Sequence, residues 1–222
     1  MMRVYVAPDI AMVDDLHPYL ADASFRALTI RDQIAKQSNV LYVAHAAGDR
    51  RVGVHLMSWW PGARGRSLDD VMNMPLTAAD ALATMSREYG YQDWAEVDAQ
   101  GDTTPEVQFE RALDELLAGD IAQLRSRLNH DPHLVAARSS YGHRSTLLHY
   151  LGANGVESYR QRTPLNAVDL ARLLIEHGAD ISAEANIYGG GQTALALAST
   201  SAHPFAAGIA NELIDVLGGA TN

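Results

Sequence analysis

The sequence predicts an all-α chain built from repeated helix pairs, and two stretches carry that expectation. Residues 165–183 read LNAVDLARLLIEHGADISA, in which Leu170, Leu173, Leu174 and Ile175 fall close to a helical period. One face is therefore a core face, and Asp169, Arg172 and Glu176 lie off it. Gly178 supplies the left-handed residue that ends the helix. Just upstream, residues 146–155 read TLLHYLGANG, a short helix opened by Thr146 and closed by Asn154 and Gly155. Together they make a helix, turn, helix, loop unit. Such a unit cannot bury its apolar face alone, so the pattern should recur.

It recurs on both sides. In residues 109–137, Ala112, Leu113, Leu116 and Leu117 mark a first helix, Gly119 and Asp120 a tight turn, and Ile121, Leu124 and Leu128 a second helix. Downstream, GQTALALAST at 191–200 opens a further unit, and Ile209, Leu213, Ile214 and Leu217 continue as its second helix. A second helix ending in HGADISA resembles the ankyrin repeat, whose Thr-Pro-Leu-His signature stands here as Thr146-Leu147-Leu148-His149, without the Pro. That resemblance implies an ankyrin-repeat solenoid with short finger loops over residues 103–222.

The first half repeats the pattern more loosely. Residues 41–57, LYVAHAAGDRRVGVHLM, give an Ala-rich helix, an Ala-Gly-Asp turn and a second apolar helix. Residues 76–97 give a helix ending at Gly90 and a short helix carrying Trp94. A Gly-aromatic-x-x-Trp element after a helix is similar to the degenerate leading region of bacterial ankyrin-repeat proteins, which implies degenerate helical repeats over residues 37–102. Residues 1–36 match no repeat and are expected to form an N-terminal extension or cap, with Arg3–Ala7 a lone strand and residues 20–34 a helix. The run DAQGDTTP at 98–105 reads as the boundary between the two halves.

Composition narrows the function classes. The formal charge of −10 and a single lysine, Lys36, argue against a nucleic-acid partner, which would need cations to neutralise phosphates. No stretch approaches a membrane span, and residues 1–8 lack the basic start and apolar core of a secretion signal. Without cysteine there is neither a disulfide framework nor a thiolate metal site. A cytoplasmic protein without a cofactor is expected.

Candidate site residues crowd into residues 141–204. The segment VESYRQRTPLN at 156–166 is longer than an ordinary helix-to-helix connection, and long loops are often functional. It places Glu157, Tyr159, Arg160, Gln161 and Asn166 near the end of the preceding helix, beside Tyr141, His143 and Asn154. The next finger holds Tyr188 and three glycines, Gly189–Gly191, and Ser201 and His203 follow the helix after it. If units stack in register, His149, Glu157 and Ser201 or His203 are neighbours. His149 would then be a general base oriented by Glu157, against a structural reading in which His149 holds the adjoining loop. A zinc site on His143, His149 and His203, and a phosphate cradle at Gly189–Gly191, are further alternatives. Of the adjacent Trp59 and Trp60, one is expected to pack inward and one to anchor a partner. The ankyrin resemblance implies an interaction module presenting a concave surface to a protein partner. The alternative is a hydrolase or lyase acting on a small polar molecule, with His149, Glu157 and His203 as its catalytic residues.

Overall fold

A computed structural model describes residues 4–219, so Met1, Met2, Arg3 and residues 220–222 lie outside the described part of the chain. The described residues are all-α in character, with fourteen α-helices and four strands of two residues each. They divide into two compact units, one of residues 8–105 and one of residues 4–7 with 106–219.

In the first unit the helices are α1 (Pro8–Leu16), α2 (Ala23–Arg26), α3 (Ile30–Ala46), α4 (Gly53–Trp59), α5 (Leu68–Asn73), α6 (Ala78–Glu88) and α7 (Trp94–Gln100). α3 is the spine. Thr29 accepts from the Asp32 backbone N–H at its start, and Gly48, with φ of 73°, turns the chain at its end. Its inner face buries Ile30, Ile34 and Leu41 against α6, and α4 also packs on α6. α3 runs unbroken through residue 36. The single helix expected over 20–34 is instead a 3-10 turn (Pro18–Ala21), α2 and the start of α3, because Thr29 takes an extended conformation and caps a new helix. Residues 101 and 103 accept backbone hydrogen bonds from Arg31 and Ile30, which ties the 98–105 run to the N-terminus of α3. Trp60 is buried over Gly62, where an added Cβ would stand 2.6 Å from the indole.

The second unit contains α8 (Val107–Leu117), α9 (Ile121–His130), α10 (Leu147–Leu151), α11 (Ala167–Glu176), α12 (Ala194–Thr200), α13 (Ala202–Ala206) and α14 (Ala210–Leu217). α8 packs on α9, α10 on α11 and α12 on α14, which makes three pairs. Across pairs, α8 meets α10 and α10 meets α12, while α9 meets α11 and α11 meets α14. Two rows of helices result, with Leu113, Leu116, Leu124, Leu147, Leu170, Leu174, Leu197 and Leu213 in one continuous core between them. A short turn joins the first pair. Gly119 (φ 73°) ends α8, and Asp120 at once accepts from the Gln123 N–H to start α9. Gly178 (φ 91°) ends α11, as its sequence position implies.

Four short strands decorate this unit. β1 (Val4–Tyr5) runs antiparallel to β2 (Thr163–Pro164), Val4 opposite Pro164 and Tyr5 opposite Thr163. The expected lone strand at the N-terminus is thus a paired one, and its partner lies in the long connection. β3 (Glu184–Ala185) and β4 (Gln192–Thr193) form an antiparallel hairpin.

Candidate functional site

The connection between α10 and α11 folds inward. Ala153 and Gly155, with φ of 45° and 71°, reverse the chain after α10, and Val156, Glu157, Ser158, Arg160 and Thr163 are all buried. The segment closes on itself through Gln161 Nε2 to the Val156 carbonyl (2.7 Å) and Arg162 Nε to the Tyr159 carbonyl (3.0 Å). Asn166 Nδ2 donates to the Gly119 carbonyl at 2.9 Å, pinning the far end of the segment to the α8–α9 turn.

At its centre is a buried ionic cluster. Glu157, wholly inaccessible, places Oε2 3.4 Å from His143 Nε2. Its Oε1 accepts from the Tyr150 hydroxyl at 3.3 Å and lies 3.7 Å from Arg160 Nη1. Arg160 continues to Glu110 on α8 through two contacts, and its guanidinium lies over the Tyr159 ring, with its central carbon 5.1 Å from the ring centre. His143 is flanked by Tyr141 and Tyr150, each ring 6.0 Å away, and its Nδ1 accepts from the Ser145 backbone N–H. That bond assigns the ring proton to Nε2, which faces the carboxylate.

Burial alone would raise the Glu157 pKa; the facing His143 ring and the Arg160 guanidinium outweigh it and hold the carboxyl below its usual value. Burial acts against the charged Arg160 too, yet the acidic and phenolic groups around it, including Glu110 and Glu157, keep it firmly protonated. Burial pushes the Tyr150 phenol well above its ordinary range. Glu157, Arg160 and Glu110 thus form a buried chain of alternating charge. Such a network holds a loop to a core; it offers no accessible group to a substrate.

The other predicted residues separate from it. His149 does not meet Glu157: its Nδ1 accepts from the Thr146 N–H at 3.1 Å, and its Nε2 lies 3.1 Å from the Gln192 carbonyl as donor. Both nitrogens are committed, and burial lowers its pKa to about 4. Ser201 donates to the Ala153 carbonyl at 3.0 Å, and its Oγ accepts from the His203 backbone N–H. His149 is occupied on both nitrogens, and no group of three His, Asp or Glu side chains is placed to hold a metal ion among the described residues, so nothing supports the zinc alternative. Gly189, Gly190 and Gly191 all have positive φ and form the tip of the β3–β4 hairpin, a turn with a backbone reason for its glycines.

Tyr188, Asn154 and Thr200 come together at the surface. The Tyr188 hydroxyl donates to Asn154 Oδ1 at 2.7 Å, and Asn154 Nδ2 donates to Thr200 Oγ1 at 3.0 Å. Tyr188 nevertheless leaves 59% of its area exposed. Its ring rests against Gly155, where a Cβ would meet Ile187 at 2.3 Å and the Tyr188 ring at 3.2 Å. The hairpin is also tied to the preceding finger: the Asn186 N–H donates to the His143 carbonyl at 2.8 Å, and Arg138 Nη1 bridges the Arg144 and Glu184 carbonyls. Glu110 and Tyr150 were missed in the sequence, the first as one more polar position on a helix and the second as one more core residue in an apolar run.

No family model, characterised protein or solved structure matches the chain.

Proposed function

We propose that residues 106–219 form an ankyrin-type interaction module, and that the finger face around Tyr188 is where it holds a protein partner. Two rows of paired helices and two fingers joined by a backbone hydrogen bond support the ankyrin reading. One observation carries the binding reading: Tyr188 stands largely exposed while its hydroxyl is hydrogen-bonded and its ring rests on Gly155. A rigid aromatic group of this kind gives contact area at low entropic cost. The buried state of Glu157 and the occupied nitrogens of His149 remove the support for the hydrolase or lyase alternative.

The test is affinity capture from the source cell with the wild type and Tyr188→Ala, beside a thermal-shift screen of polar metabolites. A defined protein lost with Tyr188→Ala is the expected result. A metabolite that stabilises the wild type, with capture indifferent to Tyr188, overturns the reading.

A further inference from the structure

The unit of residues 8–105 encloses a second cluster of ionisable side chains. His17 follows α1, His55 lies on α4 and Glu88 ends α6, and none is more than 1% exposed. His55 Nδ1 lies 2.5 Å from Glu88 Oε2, and the His17 and His55 rings meet edge to face with centres 5.2 Å apart. His17 Nδ1 is 3.0 Å from the Tyr19 hydroxyl. Tyr19 packs on Phe25 and lies under the Lys36 ammonium, 4.2 Å from its ring centre. The Nε2 atoms of His17 and His55 are buried with no hydrogen-bond partner.

The groups facing His17 decide how it responds to a proton. From α4 it meets the His55 imidazole, with the Glu88 carboxylate from α6 behind that ring. From its own turn it meets the Tyr19 phenol, and beyond that stands Lys36 from α3. From the 3-10 turn Arg50–Val52, Arg51 reaches the Asp15 carbonyl at 3.0 Å and is paired with Asp49. The Glu88 carboxylate lies against His55. A proton on His17 has no carboxylate against it and adds positive charge beside His55 and Lys36, in a site closed to water. Burial first, and His55 second, lower the His17 pKa to about 3.

We infer that His17, His55, Glu88 and Tyr19 form an acid-sensitive latch, in which protonation of His17 releases residues 17–21 and the end of α1 from α4 while α3 and α6 stay folded. A charged His17 is accommodated only when that segment reaches water. Once the pH falls below about 6.5, the ordinary value of the imidazole, the open population rises by up to tenfold per pH unit.

Hydrogen exchange followed by mass spectrometry on the full chain, corrected for intrinsic rates, tests this. From about pH 6.5 to about pH 5 the wild type should lose up to roughly 15-fold protection over residues 17–22, while α6 changes little. His17→Asn keeps an acceptor for the Tyr19 hydroxyl but cannot titrate, and His17→Phe keeps a ring against His55. Whichever folds should show protection there independent of pH. In parallel, the His17 imidazole followed by NMR should stay neutral to near pH 4 in the closed form. Unchanged protection in the wild type, the same loss in the variants, or parallel loss over α6 would each overturn the latch.

Discussion

Glu157→Gln lowers the stability of the 106–219 unit, even though the amide reproduces the shape of the carboxyl. The buried carboxylate has three partners, His143 at 3.4 Å, Tyr150 at 3.3 Å and Arg160 at 3.7 Å. Removing one member of a buried ion pair costs about 3–5 kcal/mol, because the other is left uncompensated. Here the cost is smaller, since the amide oxygen still accepts from Tyr150 and Arg160 keeps Glu110. A loss of about 2–4 kcal/mol follows, which lowers Tm by on the order of 10 °C in a unit of this size. Urea unfolding by circular dichroism on the full chain measures it. A double-mutant cycle with Arg160→Met separates the ion pair from general loosening, with a coupling of about 1–3 kcal/mol expected. An unchanged urea midpoint, or no coupling, would refute the structural role assigned to the cluster and return Glu157 to the list of groups free to act on a ligand.

Leu174→Asp should prevent folding of the same unit, since Leu174 is fully buried between the helix rows and an unpaired charge there exceeds a typical domain's stability margin; native helicity at room temperature would contradict this. Gly155→Ala should cost more than about 2 kcal/mol, from the positive φ and the clash with Ile187, and an unaltered melting curve would count against the finger placement. Acid should destabilise the unit from near pH 6.5 down. His149 has a folded pKa of about 4, below its ordinary 6.5, so its contribution is complete above 6.5 and falls away towards 4, by about 3 kcal/mol in all. Glu157, also lowered, adds a loss only as the pH drops below the usual carboxyl range. Stability that rises on acidification from pH 7 to 5 would reverse that sign. Trypsin should cut first after Arg64 or Arg66, which are exposed beyond Gly62; first cleavage inside α11, after Arg172, would count against the helix placement.

The helix pairs of residues 109–217 were legible because each is written locally. Leucines at helical spacing, then Gly119 or Gly178, fix a helix and its end with no knowledge of the partner. The long connection was legible as an anomaly but not in its sense. Dense polar residues at 157–166 read equally as an exposed site or a buried strut, and the difference lies with Glu110 and Tyr150, tens of residues away or hidden in an apolar run. His149 illustrates the same limit: sequence spacing put it near the inserted loop, but the backbone carbonyl of Gln192 takes its free nitrogen. The pairing of Val4–Tyr5 with Thr163–Pro164 depends on a contact across most of the chain, which no local pattern encodes. The His17, His55 and Glu88 cluster has the same origin, since its three members come from the turn after α1, from α4 and from α6, with unremarkable neighbours in sequence.

The most direct test of the interaction reading is a hydrogen-exchange footprint of the full chain with its captured protein bound. Binding through the finger face predicts added protection over residues 184–193 and 199–205, with the 156–163 segment already protected in the free protein and unchanged. Protection appearing instead over 156–163, with residues 184–193 left as they were, would contradict it.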